Sequence, residues 1–238
     1  MTSKTSGKPA TGRTPVGKQG GRDVRRRRGR LSGNRAWTVG WALLAVVALG
    51  GLYLLYNSSA DGGDAAGPAG ASGYPHVVGK PAAGAAAPEF TLPSSTGGEI
   101  SLSDYRGQSV LLYFQEGLMC QPCWDQIQDL EQNQAALRAA GIDEVVSITT
   151  DPVDLIARKM ADEGLSTPVL SDPTLDVTRS YATNQYGMMG TSRNGHSFIL
   201  VGPDGEIDWR ADYGGPPDYT MYLPTEKMLA DLAAERKQ

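Results

Sequence analysis

Val110-Leu111-Leu112-Tyr113-Phe114 is an apolar run, and six residues beyond it stands Cys120-Gln121-Pro122-Cys123. Few folds accommodate that order. A short apolar run of this kind reads as a strand buried on both faces, and such a strand needs a covering layer on each side of its sheet. After the cysteines, Trp124, Ile127, Leu130 and Leu137 recur at helical spacing between acids and glutamines. An amphipathic helix therefore starts at Gln121, and Gly141 ends it. Strand, dithiol and helix follow one another directly.

The flanking sequence extends this pattern. Phe90-Thr91-Leu92 and Ile100-Ser101-Leu102 enclose a Ser94–Gly98 turn, which predicts a β-hairpin. Val145–Ile148 reads as a strand, Asp151-Pro152 opens a helix running to Glu163, and Pro168–Leu170 is a short strand. A short helix follows over Thr174–Tyr181. Ser197–Val201 and Glu206–Arg210 pair around Pro203-Asp204-Gly205, and a last helix starts at Thr225. Alternating βα units closed by an antiparallel hairpin imply an α/β domain, a central mixed β-sheet flanked by helices on both faces.

Charge divides the chain. Residues 1–35 hold eleven Lys or Arg and one acid, Asp23, whereas the remainder holds eleven basic residues and 25 acids. The run Arg25–Arg28 has no interleaved aromatics and stands just before an apolar stretch. It reads as a cytoplasmic flank rather than a nucleic-acid surface. Ala36–Tyr56 carries no charge over 21 residues and has Trp37, Trp41, Tyr53 and Tyr56 toward its ends. That length and those anchors predict one transmembrane helix. A signal peptide would have a shorter apolar region. The expected organisation is a basic tail (1–35), a transmembrane helix (36–56), a flexible Gly/Ala/Pro linker (57–87) and a redox domain (88–238). The protein would be single-pass in the cell membrane with its C-terminal domain outside the cytoplasm.

The two cysteines are the only ones in the chain. As a structural staple they would close too small a loop to remove much unfolded-state entropy. A zinc site needs about four ligands, and the chain has only two histidines, His76 and His196, the first in the expected linker. No metal and no cofactor is expected. A cysteine at a helix N-terminus, in contrast, has its thiolate stabilised by free N–H groups and the helix dipole. Cys120 is thus the expected nucleophile and Cys123, one turn further in, the resolving thiol. Pro122 suits an early helical position, where an N–H would have no partner.

Ala87–Leu92, Leu102–Gly107, Val110–Phe114, the Cys-X-X-Cys and Phe198–Gly205 together resemble the thioredoxin-like superfamily, in its peroxiredoxin (AhpC/TSA) and TlpA-like branch. The resemblance spans the whole expected domain. It implies a thioredoxin-like fold and thiol-disulfide exchange or peroxide reduction, with protein thiols and disulfides or a peroxide as substrates. Thioredoxins carry a cis-proline before the strand at Ser197, where this chain has Asn194-Gly195-His196. Peroxiredoxins carry Pro-X-X-X-Thr/Ser-X-X-Cys, which neither cysteine matches. Phe198–Gly205 is also similar to Sco-type copper chaperones, which would make His196 a copper ligand beside the cysteines and the protein a copper carrier.

Further candidates cluster around these motifs. Glu116 stands four residues before Cys120 as a proton acceptor for Cys123 or a solvated charge. Arg193 is a candidate partner of a thiolate or peroxide, or a surface residue. His196 is a proton shuttle, a copper ligand or a strand-end residue. Met119, Met188 and Met189 are candidate copper ligands or adaptable contact residues, with core packing the favoured reading of the last two. Tyr213–Tyr222 is an aromatic loop that shapes a groove or covers the sheet edge.

Overall fold

The computed structural model describes residues 44–50 and 70–236. The chain forms two units, Met1–Asn57 and Ser58–Gln238. In the first, residues 44–50 are helical and exposed. The basic tail and most of the expected span lie outside the described residues. Among the described residues no helix is long and apolar enough to cross a membrane.

The second unit is built on a five-stranded mixed sheet. Its strands are β3 (Val110–Phe114), β4 (Glu144–Thr149), β5 (Val169–Ser171), β6 (Ser197–Val201) and β7 (Ile207–Asp212), in the spatial order β5-β4-β3-β6-β7. The central strand β3 lies parallel to β4 and antiparallel to β6. All five of its residues are buried, as a strand covered on both faces requires. Side-chain alternation divides them. Leu111 and Tyr113 enter one core, with Trp124, Ile127 and Leu130 of α1 (Gln121–Gln132), Ile156 and Met160 of α3 (Val153–Glu163), and Met228 and Leu232 of α5 (Thr225–Glu235). Val110, Leu112 and Phe114 enter the other. That second face is covered chiefly by the hairpin of β1 (Thr91–Pro93) and β2 (Glu99–Ser101), with Val177 of the short helix α4 (Asp176–Ser180) and Tyr181. The helices are thus mostly on one side.

The helix expected from Gln121 to Gly141 is broken. It ends at Gln132, and α2 (Gln134–Ala139) resumes after Asn133. The Asn133 side chain donates to the Asp129 carbonyl at 2.8 Å and to its carboxylate at 3.0 Å. A short amide that bonds the preceding turn competes with helical backbone pairing.

The expected linker 57–87 requires correction. From residue 70 onward it is packed on the domain. Val77 pairs antiparallel with Asp212, and Ala86 with Glu206. Gly79 donates its N–H to Asp212 Oδ2 at 2.7 Å, and Arg210 binds the Pro81 carbonyl at 3.0 Å. His76 is buried, with Nε2 3.1 Å from Glu235 Oε1 and Nδ1 3.8 Å from Asp231 Oδ2. This strap is held by backbone pairing and buried polar contacts rather than by a periodic apolar face. Its Gly- and Ala-rich composition is therefore not that of a tether.

Candidate redox site

β3 carries the chain to the end of the sheet where Gln115–Met119 turns it into α1. Cys120 is the N-cap of α1, Gln121 and Pro122 occupy its first two positions, and Cys123 follows. The Cys120 N–H donates to the Gly117 carbonyl at 3.0 Å, and the Cys123 N–H donates to the Cys120 carbonyl at 3.0 Å. This tight turn sets the two Cα atoms 5.3 Å apart, and the cysteines form a disulfide. Cys120 is 7% exposed and Cys123 is fully buried. The outer sulfur lies at the helix N-terminus, where an anion is favoured after reduction. The inner one is followed in the helix by Trp124, whose indole N–H donates to the Gly117 carbonyl at 3.1 Å.

The turn before Cys120 is braced by a network the sequence left unread. Asp151 is buried. Its Oδ2 accepts the Leu118 N–H at 2.7 Å and the Thr149 hydroxyl at 3.1 Å, and its Oδ1 accepts Arg193 Nη1 at 2.9 Å. Arg193 Nη1 also donates to the Glu116 carbonyl at 3.2 Å. Arg193 therefore works as a brace between the loops at 116–118, 151 and 193. Gly117 is required here: its φ is +93°, and a Cβ would collide with the Asp151 carboxylate and the Thr149 hydroxyl.

Glu116 is not a solvated charge. It is buried, and its Oε1 accepts the backbone N–H of Met188 and that of Met189, the latter at 3.2 Å. It ties the loop at 187–189 to the turn before the cysteines. Burial first, and the Glu116 carboxylate second, hold the Tyr113 phenol well above its ordinary range. That phenol donates to the Cys123 carbonyl at 3.3 Å.

His196 lies fully buried just before β6, in an aromatic box. Its ring meets Tyr113 edge-on at 5.2 Å and Phe198 at 5.1 Å, with Tyr213 at 6.2 Å. Neither ring nitrogen has a hydrogen-bond partner. Burial lowers its pKa to about 3, so the imidazole is neutral.

The methionines divide differently from expectation. Met188 and Met189 are not core residues: they are 59% and 47% exposed, and Met119 is 79% exposed. Met221 from the Tyr213–Tyr222 loop is buried, and it forms a separate apolar cluster with Cys120 and Cys123 alone. Sequence reading grouped that loop as a groove or an edge cover, and no periodic signal singles out Met221 within it.

The AhpC/TSA family profile matches residues 83–210, more than half of the chain. The chain belongs to the AhpC/TSA family. Peroxiredoxin Bcp of Escherichia coli K12 is 34% identical over 129 residues, covering 53% of this chain and 82% of Bcp. The thiol-disulfide oxidoreductase ResA of Geobacillus kaustophilus is 32% identical over 101 residues, covering 42% of this chain and 57% of ResA. Among solved structures, the peroxidoxin BcpB of Mycobacterium tuberculosis superimposes with a TM-score of 0.54 at 22% identity, covering 66% of this chain and 99% of BcpB, a likeness of fold. The domain is thus a thioredoxin-like α/β fold with a central mixed sheet. The AhpC/TSA protein described here is a thiol-dependent oxidoreductase, a disulfide exchanger or a thiol peroxidase.

Proposed function

We propose that this chain is a membrane-tethered, extracytoplasmic thiol-disulfide oxidoreductase in which Cys120 attacks and Cys123 resolves. One observation carries the reading: a closed Cys120–Cys123 disulfide at a helix N-terminus, with the first sulfur at the rim and the second fully buried. In the reducing direction the Cys120 thiolate attacks a substrate disulfide, one substrate sulfur leaves as a thiolate, and a mixed disulfide forms. Cys123, deprotonated, attacks Cys120 Sγ. The second substrate sulfur leaves, and the 120–123 disulfide is restored with two electrons passed to the substrate. The oxidising direction is the reverse. Protein thiols and disulfides are the substrates. The Arg-rich flank before Ala36–Tyr56 supports an outward-facing domain.

Peroxide reduction by Cys120 is a second reading, favoured by the similarity to peroxiredoxin Bcp. Against it, Arg193 Nη1 is engaged by Asp151 and the Glu116 carbonyl, and the Thr/Ser expected three residues before a peroxidatic cysteine is Gly117.

The test is a trapping experiment. Cys123→Ser should accumulate a mixed disulfide with substrate thiols, and Cys120→Ser should abolish exchange with a protein disulfide. Faster consumption of peroxide than of protein disulfide would select the second reading. Retained exchange in Cys120→Ser would reject both. For topology, protease added outside sealed spheroplasts should digest residues 70–238, and protection of that domain would reject export.

A further inference from the structure

His76 of the strap stands between two carboxylates of α5. Its Nε2 is 3.1 Å from Glu235 Oε1, and its Nδ1 is 3.8 Å from Asp231 Oδ2. One ring nitrogen and one oxygen from each carboxylate lie within 4.8 Å of one another. Asp231 and Glu235 are four positions apart in the helix, so both project from one face. We propose that the strap and α5 hold one Zn(II) ion through an imidazole nitrogen of His76 and the carboxylates of Asp231 and Glu235, with a water as fourth ligand.

Charge argues for a divalent ion. The side chains of His76 and Asp231 are 5% and 0% exposed. Among the described residues, no lysine or arginine forms an ion pair with either carboxylate. A protonated imidazole would offset one of the two negative charges and leave the other uncompensated, which a buried site disfavours. A divalent cation on a neutral imidazole offsets both.

The surroundings hold the donors in place. Asp231 Oδ2 accepts the Tyr213 hydroxyl at 2.7 Å, and its Oδ1 accepts the Ser72 N–H at 2.6 Å. Glu235 Oε2 accepts the Trp209 indole N–H at 3.0 Å. A carboxylate oxygen bonded once keeps a second lone pair, and ligating carboxylates are commonly oriented by such outer hydrogen bonds. For a ring that binds through Nε2, the Tyr74 carbonyl, 3.4 Å from Nδ1, would accept the remaining N–H. The backbone at Gly70 closes over the site: a Cβ there would lie 2.3 Å from Asp231 Oδ1 and 2.7 Å from His76 Cε1.

Donor chemistry selects zinc. Imidazole with carboxylate oxygens suits Zn(II), which is often held by three such protein ligands and a water. One histidine therefore suffices. Calcium and magnesium prefer oxygen alone, and Cu(I) prefers sulfur. Ligands about 2.1 Å from a tetrahedral ion lie roughly 3.4 Å apart, so the 4.8 Å spread has to close on binding. Glu235, with its side chain 32% exposed, is the arm free to move. The ion would staple the strap to a helix 159 positions away in sequence.

The experiment uses the untagged full-length chain with the Cys120–Cys123 disulfide closed, so that no thiolate takes the metal. The chain is stripped with a chelator and titrated with Zn(II) against a chromophoric zinc indicator. One Zn(II) per chain should be held, and zinc-edge absorption should show one imidazole, oxygen donors and no sulfur. Glu235→Gln keeps an oxygen for Trp209 and should weaken binding at least about 10-fold, since loss of a supporting contact alone costs that much at metal sites. In the natural chain, zinc should slow proteolytic cutting between residues 70 and 87. A natural chain that holds no zinc overturns the proposal. So does unchanged affinity in Glu235→Gln, sulfur at the zinc, or cutting of the strap at the same rate with and without zinc. If Glu235→Gln misfolds, absorption and proteolysis on the natural chain decide. Disulfide exchange at Cys120 uses none of these residues, so zinc binding and the redox reading are judged separately.

Discussion

Asp151 accepts the backbone N–H of Leu118 at 2.7 Å, across 33 positions of sequence. This contact fixes the turn that delivers Cys120 to its helix, and the same carboxylate holds Thr149 and Arg193. Asp151→Ala should destabilise the domain by about 1–3 kcal/mol, because a buried N–H and an arginine lose their acceptor. Gly117→Ala adds a left-handed backbone penalty of about 1–2 kcal/mol and a clash with that carboxylate. Urea unfolding monitored by tryptophan fluorescence checks both, and Gly117→Ala should unfold at the lower midpoint.

Glu116 separates two roles by a conservative pair of substitutions. Glu116→Gln keeps an oxygen for the Met188 and Met189 N–H groups but cannot take up a proton. Glu116→Ala leaves both N–H groups without their acceptor, at a cost of about 1–3 kcal/mol. Disulfide-exchange rates should be nearly preserved in Glu116→Gln and depressed in Glu116→Ala. A collapse in Glu116→Gln would make the carboxylate a proton acceptor instead of a tie.

His196 makes stability depend on pH in a defined window. Its imidazole is held neutral in the fold, with a pKa of about 3 set by burial, against about 6.5 when unfolded. Between those values the unfolded chain binds the extra proton. Stability from this group is therefore full above about pH 6.5 and falls with acidification toward pH 3. From pH 7 to pH 5 the loss should be about 2 kcal/mol. His196→Phe removes the titrating group, and its unfolding free energy should be flatter over the same interval. Parallel pH profiles for the two proteins would contradict the burial.

Arg210 and Asp212 form an ion pair with both side chains fully buried, Nε to Oδ2 at 2.8 Å. Asp212→Ala would leave the guanidinium unpaired in the interior, at a cost of about 3–5 kcal/mol. It would also release the N–H of Gly79. Limited proteolysis should then cut between residues 70 and 87 before any other described segment.

Much of the fold was legible because its signals are local. The apolar run at 110–114 and the helical spacing of Trp124, Ile127 and Leu130 each report burial by periodicity. The features that escaped are long-range. His76 is buried against α5 from 159 positions away, and nothing in a Gly- and Ala-rich stretch announces such a partner. The break at Asn133 comes from one side-chain amide competing with the helix. Cys120 and Cys123 were evident from spacing alone. Met221 was not, since only the return of the 213–222 loop packs its side chain with them. Asp151 read as part of a helix start, yet its carboxylate is turned to the turn before the cysteines.

The outer strands of the five-stranded sheet are both occupied along part of their free sides. Next to β7 runs the strap, through Val77 and Ala86; next to β5, Ser94 pairs with Leu170 and Ser95 donates to the Val169 carbonyl at 3.0 Å. Open strand edges are the usual templates on which one chain recruits another into a growing sheet. Here such recruitment is obstructed, along the covered stretches, by a segment of the same chain. A variant that loosens the strap should therefore expose more of β7 and form fibrillar or strand-swapped aggregates more readily than the natural chain.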